Sequence, residues 1–117
     1  MILFANAQPN DSSCALHTFA EVYSALTAMP VQPKFWPAQA ELCVQEIRQR
    51  VTAISLNADE YLATIHRAAE RGFSGGKIYD ALLLACAVKS GAEVIYTWNL
   101  KHFRAIAPEL ADRIQTP

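Results

Sequence analysis

The chain has no excess of positive charge: 10 Lys and Arg stand against 11 Asp and Glu, a formal net charge of −1. Proteins that hold nucleic acid by charge alone are strongly basic. Any contact with RNA or DNA must therefore run through a local basic rim or a bridging cation. Cysteine is scarce too. Cys14, Cys43 and Cys86 lie far apart among apolar neighbours and form no C-x-x-C pair, which excludes a disulfide framework and a zinc site as the natural readings. Reduced thiols and a cytoplasmic location are expected. Long apolar runs are missing: the longest, around Ala81–Val88, is far too short to span a bilayer. No basic-then-apolar segment at the N-terminus suggests a secretion signal. There is no internal repeat, low-complexity tract or linker, and Ser, His and Cys show no nucleophile arrangement. Gly75-Gly76-Lys77 is not a P-loop, which needs a longer glycine frame and a Ser or Thr where Ile78 stands.

What remains is an ordinary globular composition, 52% hydrophobic and 18% charged over 117 residues. One domain, 1–117, is the expected count, burying about two thirds of its unfolded surface. Its centre is the stretch Gly75–Ala87. A glycine hinge opens a helix in which Tyr79, Leu82, Leu83 and Cys86 follow helical spacing, with Ala81, Leu84, Ala85, Ala87 and Val88 at the sides. A helix apolar around most of its circumference must be largely buried. It nevertheless carries Asp80 in its first turn, where the helix dipole and unpaired N–H groups favour an anion. Taken alone, that is charge complementarity and nothing more.

In chain order, Met1–Ala7 is a brief strand or the last turns of a helix, followed by a turn over Gln8–Ser13. Cys14–His17 reads as a short strand, and Thr18 or a neighbour caps a helix to about Ala28 with Phe19, Val22, Tyr23 and Leu26 on one stripe. Glu21 falls in its first or second turn, again with a plain dipole explanation. Pro30 and Pro33 stop it. Pro37 opens a helix to about Arg50, with Leu42, Cys43, Ile47 and Val51 at helical spacing. Val51–Ser55 favours a strand. Asn57-Ala58-Asp59-Glu60 has the form of a capping box, opening a helix to Arg71 with Gly72 as its stop and Tyr61, Leu62, Ile65 and Ala69 as its buried stripe. His66 reads as a surface residue. Glu93–Thr97 is the clearest strand and leads through Trp98 and Asn99 into a short helix. Ile106, Leu110 and Ile114 mark a last packing element. Helix and short strand alternate, which predicts α/β with a mainly parallel sheet.

Sites in such sheets form beyond the carboxyl ends of the strands. Glu21, Asp80 and Asn99 each sit at such a junction or at a helix start. Three converging oxygen donors there suit Mg²⁺ or Mn²⁺, which activates water and offsets the charge building on a phosphodiester. Lys77, Lys101 and Arg104 flank the same junctions as a basic rim. Spacing alone does not establish the convergence.

The segments Thr18-Phe19-Ala20-Glu21-Val22-Tyr23, Ile78-Tyr79-Asp80-Ala81-Leu82 and Thr97-Trp98-Asn99-Leu100-Lys101-His102-Phe103 resemble successive motifs of PIN-domain proteins. The closest flavour is that of the VapC-like toxins of bacterial toxin–antitoxin pairs. The resemblance runs from about Cys14 to Pro117, in family order. It implies a three-layer α/β domain with a small, mainly parallel sheet. It also implies a cytoplasmic endoribonuclease that uses Mg²⁺ or Mn²⁺, acts on RNA and is held by a cognate antitoxin. Glu21 then matches the second family acid, Asp80 the third and Asn99 the fourth polar position. These are the implied catalytic and metal-binding residues, Asn99 holding a metal-bound water or the phosphate. Thr97 matches the threonine ending the last strand. His102 stands where many members have Asp, and its role is open between ligand, phosphate contact and packing. With Lys77, Thr97, Lys101 and Arg104 it makes up the expected nucleic-acid contacts.

One departure is large. The family opens with a strand ending in Asp and a helix, whereas Met1–Asn6 has no Asp after its apolar run, and Asp11 does not match. The expectation is an N-terminally incomplete chain, from a truncated or mis-started reading frame. It lacks the first acid, strand and helix, and its activity is weak or nil. Met1–Ala7 resembles the end of a family helix more than its first strand. That missing strand lies centrally in the family, so its neighbours would stand roughly 10 Å apart with unpaired backbone groups. The chain must rearrange, or fill the gap as a homodimer, with a swapped element as one route. The alternative reading is a non-catalytic module that binds RNA or an antitoxin-like peptide without cleaving. In a third, a structural domain, Glu21 and Asp80 are incidental and point apart.

Overall fold

The computed structural model describes residues 3–5 and 12–117. The elements are β1 (Leu3–Ala5), β2 (Ser12–Ala15), α1 (Leu16–Ala28), α2 (Pro37–Arg50), β3 (Thr52–Ile54), α3 (Ala58–Glu70), α4 (Lys77–Lys89), β4 (Val94–Tyr96) and α5 (Leu100–Ile106). A 3-10 helix, Pro108–Arg113, and a two-residue strand β5, Ile114–Gln115, close the chain. The expected turn over Gln8–Asp11, and Asp11 itself, lie outside the described residues. Ser12 and Ser13, expected in that turn, already belong to β2.

The sheet order is β3-β2-β1-β4-β5. β2 runs parallel to β3 and β4 to β5, while β1 is antiparallel to both β2 and β4. Four of the five strands thus share one direction, as the mainly parallel expectation requires, and β1 alone opposes them. The central gap is filled from within the chain: Phe4 faces Ser13 on one side and Ile95 on the other. That removes the reason for a partner's strand at this position. It also settles Leu3–Ala5 as strand and not as the end of a helix.

Helices pack in two groups, α1 with α2, and α4 with α3 and α5; β2 contacts both groups through α1 and α4. α4 is the centre of the larger group. Leu83, Leu84, Cys86 and Ala87 are buried there with Ile95, Phe103, Ile106 and Ile114. Ile95 and Ile114 are among the most completely buried side chains, each contributing about 2 kcal/mol by removal from water.

Local signals explain the helix ends. Asn57 Oδ1 accepts the Glu60 N–H and Glu60 Oε1 accepts the Asn57 N–H, both at 2.8 Å, the reciprocal box the spacing predicts. Gly72 follows α3 with φ 73°, a left-handed turn that side chains resist. α1 departs from expectation at its start. Thr18 does not cap it: the N-cap is Ala15, and Thr18 lies buried inside the first turn.

The stripes of α3 and α2 are also corrected. α3 buries Thr64 and Ala68, the small residues through which it lies close to α4. Tyr61, Leu62 and Ile65 are left exposed. In α2, Ala40 is buried while Leu42 is exposed. Tyr79 of α4, expected inside, is 62% exposed.

Candidate active site

Asp80 stands in the first turn of α4, as predicted, and no side chain caps that helix. Gly75, at φ 63°, bends the chain into the turn. The positive end of the helix dipole therefore favours the carboxylate. A second contact fixes it: His102 Nε2, from α5, lies 2.7 Å from Asp80 Oδ2, with the two side chains 35% and 28% exposed. An ionised carboxylate only accepts hydrogen bonds, so Nε2 carries the proton and donates. The imidazole is itself held edge-on against Phe103, ring centres 5.2 Å apart.

The β4–α5 junction brings up the next residues. Thr97 is buried; its N–H donates to the Gln115 carbonyl at 2.9 Å and its hydroxyl accepts the Asn99 N–H at 3.1 Å. It therefore sets the turn from inside instead of facing solvent. Trp98 is 78% exposed beside it. Asn99 is exposed at the N-cap of α5, and its side chain makes no capping bond. Lys77 and Lys101 are exposed, with the Lys77 ammonium 5.7 Å from the centre of the Phe73 ring. Arg104 is committed elsewhere, donating to the Ile114 carbonyl at 2.7 Å and so clamping β5 to α5.

Glu21 lies in the second turn of α1, half-buried, and its Oε1 is buried without a hydrogen-bond partner among the described residues. Thr18 Oγ1, one turn earlier, is in the same state. The structure thus joins Asp80 to His102 and presents Asn99 on the same helix, α5. Among the described residues, no three His, Cys, Asp or Glu side chains gather closely enough to hold a metal ion. A hydrated Mg²⁺ or Mn²⁺ does not need such a cage, since one or two carboxylates, waters and substrate phosphates are its usual company. The dipole-favoured Asp80 carboxylate is compatible with that mode of binding, while Glu21 is not gathered with Asp80 and His102 into a common group.

Two cavities adjoin α4. One, of about 640 Å³, runs between α3, α4 and the end of α5. Four of its rim charges are paired, Lys89 with Glu60 at 2.6 Å and Arg71 with Glu109 at 3.7 Å. The other, of about 310 Å³, is lined by Leu16, His17, Tyr61, Tyr79 and Leu82 with Cys86 at its base. Burial pushes the Cys86 thiol pKa up, so it is a packing group and not a nucleophile. This second cavity was not legible in the sequence, because Tyr61 and Tyr79 read as stripe residues and only their exposure reveals them.

The PIN domain family matches residues 5–107 of the chain. Comparison with curated proteins and with solved structures gives no match. PIN domains are generally nucleases, act on nucleic acid and typically use divalent metal ions. The family match spans most of the 117 residues, and the chain belongs to the PIN domain family.

Proposed function

We propose that the chain is a PIN domain of the VapC-like, toxin–antitoxin kind, an Mg²⁺-dependent endoribonuclease of low activity. The observation that carries the reading is Asp80: a carboxylate in the first turn of the most buried helix, locked in orientation by His102 at 2.7 Å. Asp80 and Glu21 would hold Mg²⁺ or Mn²⁺. When bound, such an ion acidifies a water and offsets the charge that builds on the phosphate. Asn99 would donate its side-chain amide N–H to a phosphate oxygen, and Lys101 would add positive charge beside it. His102 holds the Asp80 carboxylate still, so that it meets the substrate in one orientation.

RNA is the substrate in this reading, in the cytoplasm, and a cognate antitoxin the physiological partner. The exposed apolar stripe of Tyr61, Leu62 and Ile65 on α3 supports a homodimer, since contiguous exposed apolar surface marks an interaction site. The second reading is a non-catalytic module that binds RNA or an antitoxin; it is favoured by the lack, among the described residues, of a three-ligand cluster.

Mn²⁺ binding separates them. Wild-type protein and Asp80→Asn are titrated with Mn²⁺ by electron paramagnetic resonance, and both are incubated with an unstructured RNA. Sub-millimolar binding and cleavage, both lost in Asp80→Asn, are expected. RNA binding that is indifferent to Asp80→Asn, with no cleavage by either protein, would establish the module instead.

A further inference from the structure

The cavity of about 310 Å³ has no role in the site described above. Its volume lies at the lower end of the range for small-ligand pockets, and its lining is not that of a plain apolar groove. Tyr61 of α3 and Tyr79 of α4 both line it while remaining exposed, and His17 joins them. Two phenol rings and an imidazole around one opening offer flat, polarisable surfaces. Such surfaces take up unpaired bases whatever their sequence.

Position is the second observation. Ala15 and Ile54, the last residues of the parallel strands β2 and β3, both line the cavity. It therefore sits beyond the strands' carboxyl ends, where α/β sheets bind ligands. Third, Ala15, Leu16 and His17 bring the start of α1 to the same opening, and that helix has neither a side-chain cap nor an acidic residue in its first turn. Its unpaired N–H groups are available to a phosphate or a base edge. Finally, Tyr79 immediately precedes Asp80. Their side chains leave α4 about 100° apart, so the cavity and the carboxylate occupy adjoining faces of one helical turn. The chain's near-neutral charge makes such a contact more useful, because stacking needs no basic surface.

We infer that this cavity is a base-binding subsite that takes an unstacked nucleobase of single-stranded RNA beside the Asp80 centre. The inference rests on the reading of the chain as RNA-directed, and it adds a substrate requirement: the target must be unpaired next to the contacted phosphate.

The test uses nucleoside 5′-monophosphates and ribose 5-phosphate with the full chain, followed by ligand-detected NMR. Wild type, Tyr79→Leu, Tyr61→Leu and Asp80→Asn are compared. Both tyrosines are exposed, so neither substitution opens a core. Base-bearing ligands are expected to bind and ribose 5-phosphate not to. Each tyrosine variant should bind more weakly, by about 5- to 150-fold, the span of one stacked base. Asp80→Asn should keep the preference for base-bearing ligands over ribose 5-phosphate. Equal binding of ribose 5-phosphate and adenosine monophosphate would overturn the subsite, as would nucleotide binding unmoved by both tyrosine variants. Uptake of the apolar dye 1-anilinonaphthalene-8-sulfonate with no response to any nucleotide would also overturn it and mark a pocket for a protein side chain. Base binding without RNA cleavage would leave the subsite standing and remove only the nuclease reading. Cleavage without base binding would do the reverse.

Discussion

Glu21→Met should make the protein more stable and less able to bind metal. Glu21 Oε1 is buried with no partner among the described residues, and an unsatisfied buried acceptor costs about 1–3 kcal/mol, more when charged. The residue as a whole is only half-buried, so the low end, about 1 kcal/mol, is the appropriate figure. Methionine keeps the length and helix propensity of glutamate and removes both oxygens. For a chain of this size the gain should raise the midpoint of thermal unfolding by about 4 °C. The assay is differential scanning calorimetry of wild type and Glu21→Met in a chelator and in Mn²⁺. In chelator the variant should melt higher. Mn²⁺ should raise the wild type, by an amount corresponding to about 2.7 kcal/mol when the ion is at a hundredfold its dissociation constant, and leave the variant unmoved. A variant that melts lower in chelator would refute the reasoning, because Glu21 would then be held by interactions that its orphaned oxygen conceals.

Asn57→Ala should cost about 1 kcal/mol, since it removes the acceptor for the Glu60 N–H at 2.8 Å; urea unfolding checks it, with an unchanged denaturant slope expected. Burial pushes the thiol pKa of Cys14 and of Cys86 up, while unfolded thiols ionise at about pH 8.5. The unfolded chain therefore loses these protons first. Their contribution is complete below that pH and declines as pH rises toward the folded values, so unfolding midpoints should fall on the alkaline side, less steeply in Cys86→Ala. Native Cys14 and Cys86 should also resist a disulfide reagent until the chain unfolds.

The parts of the fold that were legible in the sequence carry their signal locally. Asn57 and Glu60 announce α3 because the capping box is three residues long and closes on itself. The apolar content of Ala81–Ala87 places α4 in the core without reference to anything else. β1 and β5 were not legible: three and two residues are too few to show a period, and their pairing is decided by distant strands. The exposure of Tyr61, Leu62 and Ile65 was hidden for a related reason. Periodicity says that a helix has an apolar face but not which neighbour it meets, and Thr64 and Ala68 gave α4 the closer approach. At the site, Asp80 could be read from its place in the helix, and the family motif marked His102. Only the fold brings the imidazole to the carboxylate.

β1 has a kinetic consequence. Its pairing partner in β4 lies about ninety residues along the chain, so bringing the two together carries about 4 kcal/mol of chain entropy from the logarithmic term alone. β2 with β3 and β4 with β5 can each assemble over shorter separations. During synthesis the first strand leaves the ribosome long before β4 exists and must wait for it. Joining the two half-sheets is then the late and slow event in folding, and the three-residue strand that performs it sets the pace for the whole molecule.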